Sequence, residues 1–283
     1  MLLARYFRLC GAIFLLFFVL FPAGCWKEGR LSPRIDDPAK VEKVRVAVYY
    51  PKIMQTDAFL VREVHEVPSG HAPYRTALQE LISGPPQTEG ATRVLPKDTE
   101  ILNITVENGL ATVDFSEEVL KANTGAIGEL LGIQSVVNTL TEFPEIKQVS
   151  FLVNGRLDNR VKDWWGHVGL YGQPFKRNLS RVYEPAIWVT VPTPDSVVSS
   201  PLRVVGSARV FEGTVRGRLV GDNGRKLAEG FTTATAGAPA RGDFELILIF
   251  KPPADGRGRL EVFWESPEDG REVDKVVVPV RFK

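Results

Sequence analysis

Between residues 99 and 155 the apolar positions change period twice. Residues 99–106 and Leu110–Phe115 alternate apolar and polar side chains, the two-residue repeat of half-buried strands. Asn108-Gly109 lies between them. Both residue types tolerate positive φ, so the pattern predicts a hairpin closed by a tight primed turn. Ser116 follows at once as a candidate helix cap, with Glu117 and Glu118 in the first turn, where the positive end of the helix dipole favours them. Ile127, Leu130, Ile133, Val137 and Leu140 then recur every three or four residues, an apolar stripe along one helix face. Burying five such side chains is worth on the order of 10 kcal/mol before chain entropy is subtracted. Pro144 is expected to end this helix, and Gln148–Val153 to return as a strand closed by Asn154-Gly155.

Upstream, residues 44–50 read as a strand ended by Pro51, and residues 58–67 as a second strand. Pro73 suits a first helical turn. Tyr74, Ala77, Leu78, Leu81 and Ile82 form the next stripe, which Gly84-Pro85-Pro86 stops. Residues 90–97 read as a loop. The order β-β-α-β-β-α-β predicts an α+β domain over residues 41–178, a small mixed sheet with two helices on one face. From residue 184 to 283 every signal is β. Runs at Ile187–Val191 and at 202–210, 214–220, 226–235, 244–250, 260–265 and 273–282 are separated by turn residues such as Asn223-Gly224 and Asp269-Gly270. Short strands at this spacing predict an all-β sandwich. The change of pattern near residues 181–185 marks a joint between two modules, each expected to fold alone.

The N-terminus follows a different rule. Arg5 and Arg8 precede an almost unbroken apolar run from Leu9 to Phe21, and Pro22-Ala23-Gly24-Cys25 ends it. This is the layout of a secretory signal over residues 1–24, and the run falls short of the roughly 20 apolar residues of a membrane-spanning helix. Ala23-Gly24-Cys25 resembles a bacterial lipobox, although Pro22 stands where that motif usually has leucine. The resemblance implies acylation of Cys25, cleavage before it, and anchoring to the outer face of the cytoplasmic membrane. An uncleaved anchor, or an ordinary signal with an incidental cysteine, is the plainer alternative. Residues 25–40 are polar, hold Pro33 and Pro38, and read as a tether.

Composition narrows the function classes. The chain of 283 residues is 44% hydrophobic and 24% charged, which is ordinary for globular protein. A net charge of +1 gives no bulk attraction to nucleic acid, so none is expected as a partner. The two cysteines, Cys10 and Cys25, precede the folded body, which excludes an internal disulfide or a cysteine zinc site there.

The stretches ALQELISGPP, VLPKDTEILNITVENGLATVDFSEEV and VVNTLTEFPEIKQVSFLVNG, with GHVGLYGQPFKRN downstream, resemble the GerMN domain of spore-germination proteins. IWVTVPTPDSVVSSPLRVVGSARVFEGTV, GDFELILIF and LEVFWESPEDGREV resemble the immunoglobulin-like domain found after it in such proteins. The resemblance implies a structural or assembly role at the cell envelope in sporulation or germination, with a protein partner or self-assembly. It brings no catalytic residues, no cofactor and no metal. GerM-type proteins carry two GerMN copies, and here one is followed by the sandwich.

Few residues invite chemistry. His65 and His71 are six apart with Pro68 and Gly70 between, so they cannot share the helix face of a zinc protease, and they read as surface or loop histidines. Trp164 and Trp165, next to His167, could stack on a sugar ring and bind peptidoglycan or another glycan; the plainer reading is edge packing. Glu117-Glu118 and Asp36-Asp37 are adjacent, and adjacent carboxylates do not face each other across a substrate. Asp222-Asn223-Gly224 reads as a hairpin turn rather than a calcium loop. Phe211, beside Glu212-Gly213, is a candidate partner contact. A small sheet also has edges, and an unpaired edge along residues 99–115 could pair with another chain.

Overall fold

Two long strands open the body: β1 (Lys43–Ile53) and β2 (Ala58–Pro68) pair antiparallel from Lys43↔Pro68 to Ile53↔Ala58. Pro51, expected to end β1, lies inside it. Leu60, opposite Pro51, sends its N–H to the Arg181 carbonyl on the other side of β2. The nitrogen of Pro51 therefore faces the outer edge of the sheet, where the loop residues Ala91 and Thr92 meet β1 through the Pro51 carbonyl and a missing N–H costs no ladder bond. The computed structural model describes residues 42–283 apart from His71, Asn123, Trp165, Gly166, Ala254 and Asp255. The expected signal peptide, Cys25 and the tether lie outside the described residues.

Helix α1 (Pro73–Ser83) starts with proline in its first turn, buries Ala77, Leu78, Leu81 and Ile82, and ends where the Gly84 N–H meets the Glu80 carbonyl. The hairpin follows as β3 (Ile101–Glu107) and β4 (Leu110–Phe115), with φ of 50° at Asn108 and 84° at Gly109. Both turn residues occupy the left-handed region, as the primed turn requires. Ser116 does not cap the next element with its side chain. Its hydroxyl accepts the Glu100 N–H at 2.9 Å, and only a short 3-10 turn, Glu117–Lys121, forms there.

Helix α2 (Gly125–Leu140) crosses from β4 to β5 (Gln148–Val153), which pairs parallel to β4. The expected stripe is only half right. Ile127 and Leu130 are exposed, whereas Leu131, Ile133, Val136, Val137 and Leu140 are buried. The buried flank also carries Ser135, Asn138 and Thr139, which apolar periodicity overlooks. The Ser135 hydroxyl donates to the Tyr49 carbonyl, and the Thr139 hydroxyl accepts the Tyr49 N–H at 3.2 Å. α2 thus closes part of the free edge of β1 with side-chain hydroxyls. The helix stops at Leu140, ahead of Pro144, and the Thr141 hydroxyl bonds back to the Val137 carbonyl at 2.8 Å.

A single turn, α3 (Asn159–Lys162), capped by Asp158, precedes β6 (Phe175–Lys176) and β7 (Val182–Glu184). The class is α+β as expected, but the strands divide between two sheets, β1-β2-β7 and β3-β4-β5-β6. Both helices and both sheets share one core that includes Val48, Tyr50, Ile82, Phe115, Val137 and Phe151.

The remaining strands are β8 (Ile187–Val191), β9 (Ser196–Val198), β10 (Leu202–Ala208), β11 (Thr214–Gly221), β12 (Lys226–Thr233), β13 (Gly242–Leu248), β14 (Gly256–Glu265) and β15 (Glu272–Phe282). They form the sandwich, with β13-β10-β8 facing β12-β11-β14-β15-β9. Only β9 had no signal in the sequence. It is three residues long and pairs parallel to the end of β15. The inner faces meet in a second core built on Val204, Leu219, Leu246, Leu260 and Val280.

Candidate functional site

The joint between the lobes is itself a strand. β7 runs parallel to β2, pairing Leu60↔Val182 and Val61↔Glu184, and β8 of the sandwich begins three residues later at Ile187. The expected boundary at residue 178 therefore falls short, because residues 182–184 belong to a sheet of the first lobe. A third buried cluster spans the joint: Tyr49, Ala58, Leu60, Leu131 and Val182 from the first lobe meet Trp188 from the sandwich.

Cations fix this seam. Arg241, just ahead of β13, donates to the carbonyls of Val182 (2.8 Å), Ala186 (3.2 Å), Tyr183 (3.3 Å) and Pro185 (2.6 Å). Its Cζ lies 4.0 Å from the Trp188 ring centroid, and Arg62 reaches the same ring at 5.1 Å. Burial pulls the Arg241 pKa down to about 9, so the group stays cationic at neutral pH. Arg209 stacks over Tyr183 at 4.0 Å, and Tyr183 stacks on Phe59 at 4.8 Å.

Below the seam lies a charged cluster. Arg62 holds Glu142 through two bonds of 3.2 and 2.9 Å, Arg177 reaches Glu142 at 2.6 Å, and the Tyr49 hydroxyl donates to it. Burial alone would raise the Glu142 pKa. The two guanidiniums and the tyrosine override it and hold the carboxyl down at about 2. Burial and Glu142 together push the Tyr49 phenol upward. A cleft of about 920 Å³ opens here between the lobes, lined by Val44, Val46, Arg62, Glu142, Trp188 and Val277 among others. The arrangement presents apolar walls with a paired ionic floor. That suits binding of an extended chain or loop better than proton transfer, since Arg62 and Glu142 are already committed to each other.

The residues singled out from sequence scatter. Trp164 is a core residue, 4% exposed, with edge-on contacts to Phe115 and Phe151 at 6.3 and 6.2 Å. It cannot offer a face to a sugar, which corrects that expectation. Trp165 lies outside the described residues. Phe211 is half exposed, in a 3-10 turn where Glu212 and Gly213 both take positive φ, and it stays open to a partner. His65, expected at the surface, is buried in β2 between Glu63 (2.7 Å) and Glu80 (2.6 Å). Glu63 also accepts the backbone N–H groups of Gln87 and Thr88, so His65 ties β2, α1 and the loop after it together. His71 lies outside the described residues, as do Asp36 and Asp37. His167 pairs with Glu129 at 3.0 Å. The Asn223 carboxamide accepts the Arg225 N–H, as a turn residue does. Among the described residues no helix is long and apolar enough to cross a membrane, and no group of three histidine, cysteine or carboxylate side chains could hold a metal ion. Arg241 and Arg62 gave no sequence signal, because the carbonyls and the ring they bind come from distant segments.

Comparison with known proteins adds the following. Residues 47–158 match the family described as sporulation and spore germination, and residues 186–271 match the immunoglobulin-like domain of bacterial spore germination. The chain is 29% identical over 133 residues to the spore germination protein GerM of Bacillus subtilis strain 168, across 46% of this chain and 34% of that protein. It thus spans about a third of the length of that relative. Among solved structures, the tandem GerMN domains of the B. subtilis sporulation protein GerM align with 20% identity and a TM-score of 0.40, over 52% of this chain and 50% of that one. The first GerMN domain alone aligns with 29% identity and a TM-score of 0.35, over 40% of this chain and 84% of that one. The chain joins in one body a GerM-like sporulation and spore germination domain and an immunoglobulin-like domain of bacterial spore germination.

Proposed function

We propose that this protein is a non-catalytic binding or assembly module of the bacterial envelope, held to the outer face of the cytoplasmic membrane by lipid on Cys25 and acting in sporulation or germination. The observation that carries the reading is the seam. Two domains of spore-germination type are locked into one orientation by Arg241, and a cleft with apolar walls opens beside the lock. A fixed angle between two modules serves assembly, where partners must meet in register, and a wide open cleft suits a protein segment. The β3 edge offers a second contact. Arg75 occupies the carbonyls of Ile101 and Leu102, which blunts that end; beyond it Asn103, Thr105 and Glu107 are exposed while Ile104 and Val106 pack on the core. Glycan stacking through Trp164 has no support, given its burial.

Deleting the gene in the source bacterium should lower heat-resistant spore counts or slow germination. The wild-type gene should restore them, and Cys25→Ser should restore them poorly while moving the protein out of the membrane fraction. A deletion without any spore phenotype would remove the developmental role. Full rescue by Cys25→Ser from the soluble fraction would remove the anchor. Photocrosslinkers placed along residues 103–107 and around the cleft then report the partner; silence at both places, with a working control complex, ends the assembly reading.

A further inference from the structure

The sandwich has one end at the seam and one end away from it. β13 starts beside Arg241 and finishes at Leu248, so the loop after it lies at the far end. Two adjoining hollows of about 590 and 490 Å³ occupy this end and share Gly256 and Arg257. Five cations line them: Arg225, Lys226, Lys251, Arg257 and Arg281. Asp222 is the one acid among the described lining residues. In the sequence a further acid, Asp255, falls between Lys251 and Arg257, and five cations still outnumber two acids.

The cations are arranged against their own interest. Arg257 on β14 and Arg281 on β15 are directly opposed in register, so their side chains share one face, where like charges repel. Among the described residues Arg281 bonds a main-chain carbonyl alone, that of Asp195 at 2.8 Å. Arg225, Lys251 and Arg257 have no ion pair among the described residues; Lys226 pairs with Glu229. Nearer the seam the same sheet behaves differently. There Arg216 pairs with Glu265, and Arg218 with Glu261 and Glu272. The far end thus leaves its positive charge uncompensated where the rest of the sheet neutralises it.

Apolar side chains stand among these cations. Ile249 is 79% exposed and stands just past the end of β13, two residues before Lys251. Val197 is 55% exposed and lies opposite Arg281 across β9 and β15. A soluble polyanion would gain from the cations and nothing from Ile249 or Val197. A phospholipid surface uses both, because phosphates meet the cations and the headgroup boundary takes up the apolar side chains. We propose that the far end of the sandwich docks on an anionic phospholipid surface through Arg225, Lys251, Arg257 and Arg281, with Ile249 and Val197 entering the headgroup layer.

The test uses residues 42–283, whose three cores are drawn wholly from that stretch and which segregate as one compact unit. Vesicles of phosphatidylcholine alone, and of phosphatidylcholine mixed equally with phosphatidylglycerol, are sedimented with the protein at low and high salt. Binding should appear on the anionic vesicles only and fall away in high salt. Lys251→Ser with Arg257→Ser should weaken it by about tenfold or more, since each cation near such a surface contributes about fivefold. Ile249→Ser should also weaken vesicle binding while leaving retention on immobilised polyphosphate unchanged. Melting temperatures of the variants, expected to match wild type, exclude misfolding as the cause. Equal binding to neutral vesicles, absence of binding to either, or indifference to the double substitution would each overturn the proposal. Polyphosphate binding together with vesicle binding insensitive to Ile249→Ser would mark a general polyanion surface instead, and would overturn it too.

Discussion

The guanidinium of Arg241 sits 4.0 Å from the Trp188 ring centroid while its nitrogens bond the carbonyls of residues 182, 183, 185 and 186. One side chain therefore holds both the exit strand of the first lobe and the first strand of the second. Arg241→Ala should cost about 2–4 kcal/mol, because it strands carbonyls that lose their donors and removes the cation from the ring. Arg241→Lys should recover little, since one ammonium cannot reach four carbonyls as a planar fork does. Urea unfolding of residues 42–283 measures both. Calorimetry should show one transition for the wild type and two for Arg241→Ala. Among fragments of the first lobe, one ending at Glu184 should be more stable than one ending at Asn178, which lacks β7. Equal stability of the two fragments would mean that the joint strand adds nothing.

Acid should reach the lower cluster selectively. The Glu142 carboxyl is held at about 2, against an ordinary 4.5. A carboxyl depressed by folding contributes stability that is fully present above its unfolded value and is lost as pH falls toward the folded one. The body should therefore weaken between about pH 5 and pH 2. Glu142→Gln should be less stable at pH 7 and show a flatter acid limb over that range, as read from urea midpoints at each pH. An unchanged slope in the variant would place the acid sensitivity elsewhere.

Trp164→Ala should act on the fold and not on glycan. Removing an aromatic side chain from a close-packed core costs about 3–5 kcal/mol. Binding to purified cell-wall sacculi, measured on material confirmed to be folded, should equal that of the wild type, whatever that level is. Selective loss of sacculus binding at unchanged stability would reverse the reading.

Gly206 is set where no side chain fits. A Cβ there would lie 2.1 Å from the Trp188 carbonyl oxygen and 2.6 Å from the Phe244 ring, at the bulge between β8 and β10. Backbone on one side and a buried ring on the other leave no room to yield. Gly206→Ala should destabilise the sandwich by about 1–3 kcal/mol or more. Loss of the slow-exchanging amides of β8 would accompany it in hydrogen exchange. Gly172→Ala, where the added Cβ would meet only the Phe175 ring at 3.7 Å, should show no such loss.

What the sequence made legible follows from range. The hairpin at Asn108-Gly109, α1 behind Pro73, and the strand Gln148–Val153 are set by neighbours in the chain, and each was readable within a residue or two. Pro51 misled because its cost depends on which side of the strand its nitrogen faces, a matter of pairing with Leu60. The α2 stripe misled because Ser135, Asn138 and Thr139 are buried for their hydrogen bonds, which hydrophobic periodicity cannot register. His65 was hidden by the same blindness: its two carboxylates come from Glu63 beside it and from Glu80 on a helix. The seam was the least readable part, since Arg241 is an ordinary loop arginine until residues 182–186 are folded beside it.

The three-stranded sheet has a mechanical consequence. The chain enters the body at β1 and leaves the first lobe at β7, and these are the two outer strands of one sheet, with β2 between them. A pull between the N-terminus and the sandwich therefore passes across β1, β2 and β7, loading their hydrogen bonds in shear along the strands. The four-stranded sheet and most of the helical core lie off this path. A protein held to a surface at one end and to a partner through its sandwich would bear its tension first on these three strands.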